Sequence, residues 1–345
     1  MKYCFCIALI FLTFTFAEEA LLSQPSELTT EEIDSNQKVE EEIAFLEPTE
    51  LAIERMDPNL FETKPAPDQR AELNYLPPKN PAIAVTLSSL VPGLGNSYLG
   101  DNRTAGAIFG SAAGFITAGS LSENETFQIS NLTMASNTWF YGMYAAYRDA
   151  RAYNNDYGYS YSMPNDSFAD LSFASFQWSV ISKPEVWGGL LGTLAAAVGV
   201  GYLMGGGADE DEDPSLSSTG RNYPLNAFSV GIGEEAFFRG VLMPAFTEMW
   251  GPRGGLIASS LVFGAAHIPN GFDMDTRTRN RYYMFGIPFI TAIGGYMGWM
   301  AQKNNSLKES VAYHSWYDFI IFLGAYSATS SITNQKPTFA LSLSF

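Results

Sequence analysis

Gly233-Glu234-Glu235-Ala236-Phe237-Phe238-Arg239-Gly240 sets three charged side chains inside an apolar, helix-patterned run over residues 226–249. A charge at membrane depth costs about 2.5–3.5 kcal/mol even on a lenient insertion scale, so such residues are kept where they are paired or used. Glu235 and Arg239 stand four residues apart and meet on one helix face. Glu234, about 100° further round the helix, is left without a local partner. Pro244 in the same run is read as a kink whose freed carbonyl neighbouring helices satisfy.

Working outward, three further helical segments follow over residues 255–268, 283–302 and 310–326, separated by Gly251-Pro252, Pro269-Asn270-Gly271 and Asn304-Asn305-Ser306. The chain has two histidines, and each stands on one of these helices. His267 ends Phe263-Gly264-Ala265-Ala266-His267, where Phe263 is read as packing. His314 opens His314-Ser315-Trp316-Tyr317-Asp318, where a spacing of four puts His314 and Asp318 on one face. Polar side chains on three separate apolar helices meet in the bundle interior, because lipid would leave each of them unsatisfied.

Two chemistries suit a Glu, two His and an Asp. In one, Glu234 and His267 bind and deprotonate a water that attacks a peptide carbonyl, while His314 and Asp318 steady the oxyanion; no cofactor is then required. In the other, His267, His314 and Glu234 hold a zinc ion that activates the water. An ion relay in a transporter is a third possibility, but no inverted repeat of the kind transporters commonly carry is visible.

Composition agrees with a membrane setting. Charged residues make up 16%, against about 25% in soluble domains, and the apolar runs are rich in small residues that let helices approach closely in a bilayer. The net charge of −17 excludes nucleic acid as a partner, since that binding rests on Lys and Arg neutralising phosphates. Both cysteines, Cys4 and Cys6, lie in the first apolar run, which excludes a disulfide scaffold. That run is about 14 residues long and precedes a small-residue cleavage pattern, which suits a signal peptide better than a span of roughly 20.

The resulting organisation is a signal peptide or anchor at 1–17, an acidic, disordered extracytoplasmic arm at 18–80 and a membrane hairpin module at 81–151. The hairpin's arms are read at 82–99 and 104–121, with a short helix at 139–147. A polar loop at 152–184 leads to a span at 186–204, the acidic run Asp209-Glu210-Asp211-Glu212-Asp213, the helices already described and a tail at 327–345 without an assigned role. Counting spans puts Arg103, Arg148, Arg151, Arg253, Lys303 and Lys308 on the cytoplasmic side, as the positive-inside tendency asks. Arg277, Arg279 and Arg281 fall on the other side, against it.

Glu234-Glu235-x-x-x-Arg239, Phe263-x-x-x-His267 and His314-x-x-x-Asp318, in that order on three helices, resemble the three motifs of the CPBP family of intramembrane endopeptidases. That family includes the type II CAAX prenyl endopeptidases and bacterial proteins of bacteriocin processing and immunity. The resemblance covers residues 185–326. It implies an all-α, polytopic transmembrane bundle with a catalytic core of four C-terminal helices, acting on a peptide or membrane-protein substrate in the lipid bilayer of a bacterial inner membrane. It implies Glu234 as the base, His267 as its partner, His314 with Asp318 as the oxyanion site, and Glu235 with Arg239 as supports. The family's third motif ends in Asn or Asp; an Asp donates to an oxyanion only when protonated, so a supporting or ligand role for Asp318 stays open. A scaffold or immunity-type protein of the same fold is the alternative.

Overall fold

A computed structural model describes residues 77–204, 222–272 and 274–332. The signal or anchor, nearly all of the acidic arm, the Asp209–Asp213 run and the end of the tail lie outside the described residues. Every described element is helical, with no strand among the described residues.

The N-terminal module opens with α1 (Pro81–Leu90), whose first N–H groups are capped by the Asn80 side chain at 2.8 and 3.3 Å. Pro92 stops it, since the residue before a proline is driven out of helical geometry. The first hairpin arm is therefore a 10-residue helix followed by the single turn α2 (Leu94–Tyr98), too short to span. Helix α3 (Asn102–Ser120), capped by Asp101, forms the other arm.

The following helix, α4 (Glu125–Tyr153), is 29 residues long and starts well before the apolar stretch 139–147. Its polar first half is held by tertiary partners: Asn226 donates to the Ser130 carbonyl at 3.1 Å, and the Ser130 hydroxyl accepts from the Tyr223 N–H at 3.0 Å. Hydropathy alone hides such a helix, because its polar residues bond across an interface and need no water.

Residues 152–184 carry two short helices, α5 (Phe168–Ala174) and α6 (Trp178–Ile181). Buried Arg151 binds Asp156 at 2.7 Å and the Tyr161 carbonyl at 2.8 Å, while Glu248 accepts from the N–H groups of Ser160 and Tyr161. These charge-assisted bonds fasten the polar loop to the bundle.

Helix α7 (Pro184–Met204) leads to α8 (Asn226–Phe237), a π-turn over Phe238–Leu242 and α9 (Met243–Ala266). Gly251, at φ 73°, breaks α9 just before Pro252, where only a residue without Cβ is unstrained. A 3₁₀ turn (Ile268–Gly271), α10 (Thr276–Arg281), a second π-turn (Tyr282–Gly286) and α11 (Ile287–Asn304) follow, and α12 (Lys308–Ile332) ends the described chain. Helix α8 is sandwiched between α4 and α12, and α9 packs on α11.

Two helices, Pro184–Met204 and Thr276–Asn304, are long and apolar enough to cross a membrane by length and composition. They run antiparallel. At one end Lys303 binds Glu185 at 2.8 Å; at the other Arg281 reaches the Met204 carbonyl at 3.4 Å.

Candidate active site

Helix α8 owes its central position to two glycines. A Cβ at residue 231 would lie 2.3 Å from the Ser315 hydroxyl of α12, and one at residue 233 would lie 2.4 Å from Asn137 Oδ1 of α4. Both are far inside van der Waals contact, so α12 and α4 close on α8 only because these positions lack side chains. Glu234 and Glu235 follow immediately.

The two carboxylates meet different surroundings. Glu235 and Arg239 have no solvent exposure. Arg239 donates to Glu235 Oε1 at 2.8 Å and to the Gly294 carbonyl of α11 at 2.9 Å, and its guanidinium lies over the Phe263 ring at 4.2 Å. His314 Nδ1 donates to the same Glu235 oxygen at 2.9 Å. The pair expected from i,i+4 spacing thus forms, and it extends into an Arg239–Glu235–His314 chain across α8 and α12.

Glu234 keeps about a fifth of its side chain exposed (21%). Its Oε2 has no hydrogen-bond partner, and the nearest cation-forming group is His314 Nε2 at 4.0 Å. Asp318 Oδ2 lies 3.4 Å from that same nitrogen. Because Nδ1 gives its proton to Glu235, the ring donates through Nε2 only when both nitrogens are protonated.

His267 sits at the C-cap of α9, where Nδ1 donates to the Phe263 carbonyl at 2.8 Å. That bond places a proton on Nδ1, so that in the neutral ring Nε2 carries the lone pair. The Tyr282 hydroxyl donates to the His267 backbone carbonyl at 3.0 Å. Phe263 stands between the two histidines, with ring centroids 4.8 Å from His267 and 6.0 Å from His314. It does more than pack, since it also carries the Arg239 guanidinium on its face.

The structure therefore brings Glu234, Glu235, Arg239, His314 and Asp318 into one cluster, with Phe263 linking it to His267. No hydrogen bond joins His267 to the other three candidate reacting residues among the described residues. Nor do His267, His314 and Glu234 form a metal-ligand group: none of three or more His, Cys, Asp or Glu occurs among the described residues. A cleft lined by Arg151, Tyr161, Thr247, Glu248, Pro252 and Gln302 contains none of the candidate residues.

Sequence reasoning missed the Gly294 carbonyl, Asn137, Ser315 and Tyr282. A backbone acceptor such as Gly294 has no sequence signature. Asn137 carried one in principle, as a polar residue five percent exposed in a helix that packs on α8.

What fold and site define together is a helical bundle with a carboxylate–imidazole centre buried between its helices. Residues 220–320 match the family model described as type II CAAX prenyl endopeptidase Rce1-like, a match that supports CPBP family membership for this segment. Members of that family are proteases and integral membrane proteins. The match spans α8 to α11 and the first half of α12, which are the helices that carry the cluster. No curated protein and no solved structure matches the chain.

Proposed function

We propose that the chain is an intramembrane endopeptidase that hydrolyses a peptide bond near the bilayer surface of a bacterial inner membrane, using water activated by Glu234 and His267. The observation that carries this reading is the asymmetry of the adjacent carboxylates. Each has one oxygen without a hydrogen-bond partner, but Glu235 is neutralised through Oε1 by Arg239 and His314, whereas the charge partner of Glu234 among the described residues is an imidazole 4.0 Å away.

In this mechanism Glu234 takes one proton from a water whose other proton the His267 Nε2 lone pair accepts as a hydrogen bond. The hydroxide adds to the peptide carbonyl carbon, and the oxyanion meets the Nε2–H of doubly protonated His314, with Asp318 holding that ring. Glu234 then passes its proton to the departing amine. No step is routed through a metal.

The polytopic membrane reading is supported by the antiparallel pair of apolar helices. Helix α7 has 21 residues, about 30 Å at 1.5 Å per residue, which equals the hydrocarbon thickness of a bilayer. Leu191 and Val198 along it are well over half exposed, which suits lipid as the covering medium. The substrate is read as a peptide or membrane protein that reaches the cluster from within the bilayer.

A second reading, a scaffold or immunity-type relative without activity, draws on the 3.4 Å approach of Asp318 to His314 Nε2, which engages the donor that an oxyanion needs. Cleavage of a quenched fluorescent peptide library by the purified, detergent-solubilised protein separates the two. The protease reading expects turnover that Glu234→Ala abolishes without lowering the unfolding temperature. Full turnover in that variant refutes the assignment of Glu234, and no turnover by the well-folded wild type favours the scaffold.

A further inference from the structure

Helix α10 opens the second apolar span with Arg277, Arg279 and Arg281 in six residues. Asp275 caps the N–H groups of Arg277 and Thr278, at 2.7 and 3.3 Å, and feels the Arg277 charge, but among the described residues no carboxylate forms a close ion pair with any of the three arginines. The other end of the same two helices differs. There Lys183 is paired with Glu309 and Lys303 with Glu185, so those cations are compensated inside the protein.

The three arginines stand at a defined level. Arg281, the last residue of α10, reaches the carbonyl of Met204, the last residue of α7. Next to this tier along the two helices, Tyr202, Leu203 and Met284 are 71%, 56% and 65% exposed. Among the described residues a basic tier thus caps an exposed apolar tier, the order of chemistry met on crossing from phospholipid headgroups into acyl chains. The tier is also tied to the site, since the Tyr282 and Tyr283 hydroxyls donate to the carbonyls of His267 and Ile268 at 3.0 and 3.3 Å.

We propose that Arg277, Arg279 and Arg281 form a collar that binds anionic phospholipid headgroups and thereby sets the depth at which the His267 end of the site lies in the bilayer. This rests on the membrane placement proposed above. It also accounts for a basic loop on the side where the positive-inside tendency would not place one. An acidic peptide carries the same charge as a headgroup, but it brings nothing to cover Tyr202, Leu203 and Met284, so the apolar tier favours lipid.

The test uses the purified full-length protein in neutral detergent, titrated with phosphatidylglycerol or with phosphatidylcholine while the unfolding temperature is followed by tryptophan fluorescence. Phosphatidylglycerol is expected to raise that temperature far more than phosphatidylcholine. Its half-effective concentration should rise roughly fivefold for each arginine removed, the ratio that corresponds to the energy of one basic residue at an anionic surface. R277Q alone, at an exposed position, gives that single step; R277Q/R279Q/R281Q should lose the phosphatidylglycerol increment while keeping its unfolding temperature in detergent alone. Equal stabilisation by both lipids, an unchanged response in the triple variant, or stronger stabilisation by polyglutamate than by phosphatidylglycerol overturns the proposal. Extraction of the wild type from membranes by alkaline carbonate would instead refute the membrane placement, so the two failures are distinguishable.

Discussion

Arg239→Met isolates what the buried charges contribute to the fold. Methionine keeps much of the length and apolar stem but removes a cation that has no solvent exposure and bonds both Glu235 and the Gly294 carbonyl. Glu235, equally buried, is left with His314 and the Ser310 hydroxyl as hydrogen-bond donors and no fixed cation. Stranding one member of a buried ion pair costs about 3–5 kcal/mol. The orphaned Gly294 carbonyl and the lost stacking on Phe263 overlap with that figure more than they add to it, so the expected loss is about 4 kcal/mol, a large share of a folding free energy of about 5–15 kcal/mol. Equilibrium unfolding in mixed micelles, followed by tryptophan fluorescence, measures it. The companion Glu235→Gln/Arg239→Met removes the stranded charge and should recover about 2 kcal/mol of the loss. A single variant within about 1 kcal/mol of wild type, or a double variant no more stable than the single, would refute the view that the pair is a buried, mutually dependent unit.

Gly233→Ala drives a Cβ to within 2.4–2.6 Å of Asn137, including its Cα; overpacking of this kind costs about 1–3 kcal/mol, and cleavage should fall further than stability because Glu234 moves with its neighbour. Comparing unfolding temperature with turnover checks this, and Asn137→Gly in the same chain should restore both only in part, since the residue 137 Cα stays 2.6 Å from the new Cβ. Asp318→Asn should retain cleavage, because an amide holds the His314 ring and donates to an oxyanion without needing a proton; a loss beyond tenfold in the peptide assay would assign the carboxylate a role of its own. Peptide cleavage should persist in the presence of a strong zinc chelator, whereas loss that added zinc reverses would bring the His267, His314 and Glu234 ligand set back into play.

What the sequence made legible follows from spacing. The Glu235–Arg239 and His314–Asp318 pairs lie four apart on helices, so their meeting needs no knowledge of the fold, and the break at Gly251-Pro252 is a local property of those two residues. The chain of rings from Phe263 to both histidines depends on how α9 meets α12, which no local rule gives. Helix α4 was hard to read for a related reason: Ser130 and Asn137 look like solvent-facing residues until Asn226 and Gly233 are placed against them. Hydropathy averages over such a helix and marks only its apolar half. The early end of α1, by contrast, is written in Pro92, which a reading of apolar content alone passes over.

Glu234 and Glu235 are identical in chemistry and adjacent in sequence, so the difference between them comes from helical geometry. A step of about 100° turns Glu235 toward α12 and toward Arg239 one turn on, and it leaves Glu234 on the flank between α4 and α12. Gly231 and Gly233 bring those two neighbours close on either side, so the flank position is narrow and backed by protein. The charged pair then does two things at once. It removes the cost of one buried carboxylate, and it fixes the His314 ring through Nδ1 so that Nε2 faces Glu234 and Asp318. A single glutamate in this helix would have to serve either as the partner of Arg239 or as the free base; two in succession let one be neutralised while the other stays reactive, which is why the reading of function rests on Glu234 and the reading of stability on Glu235.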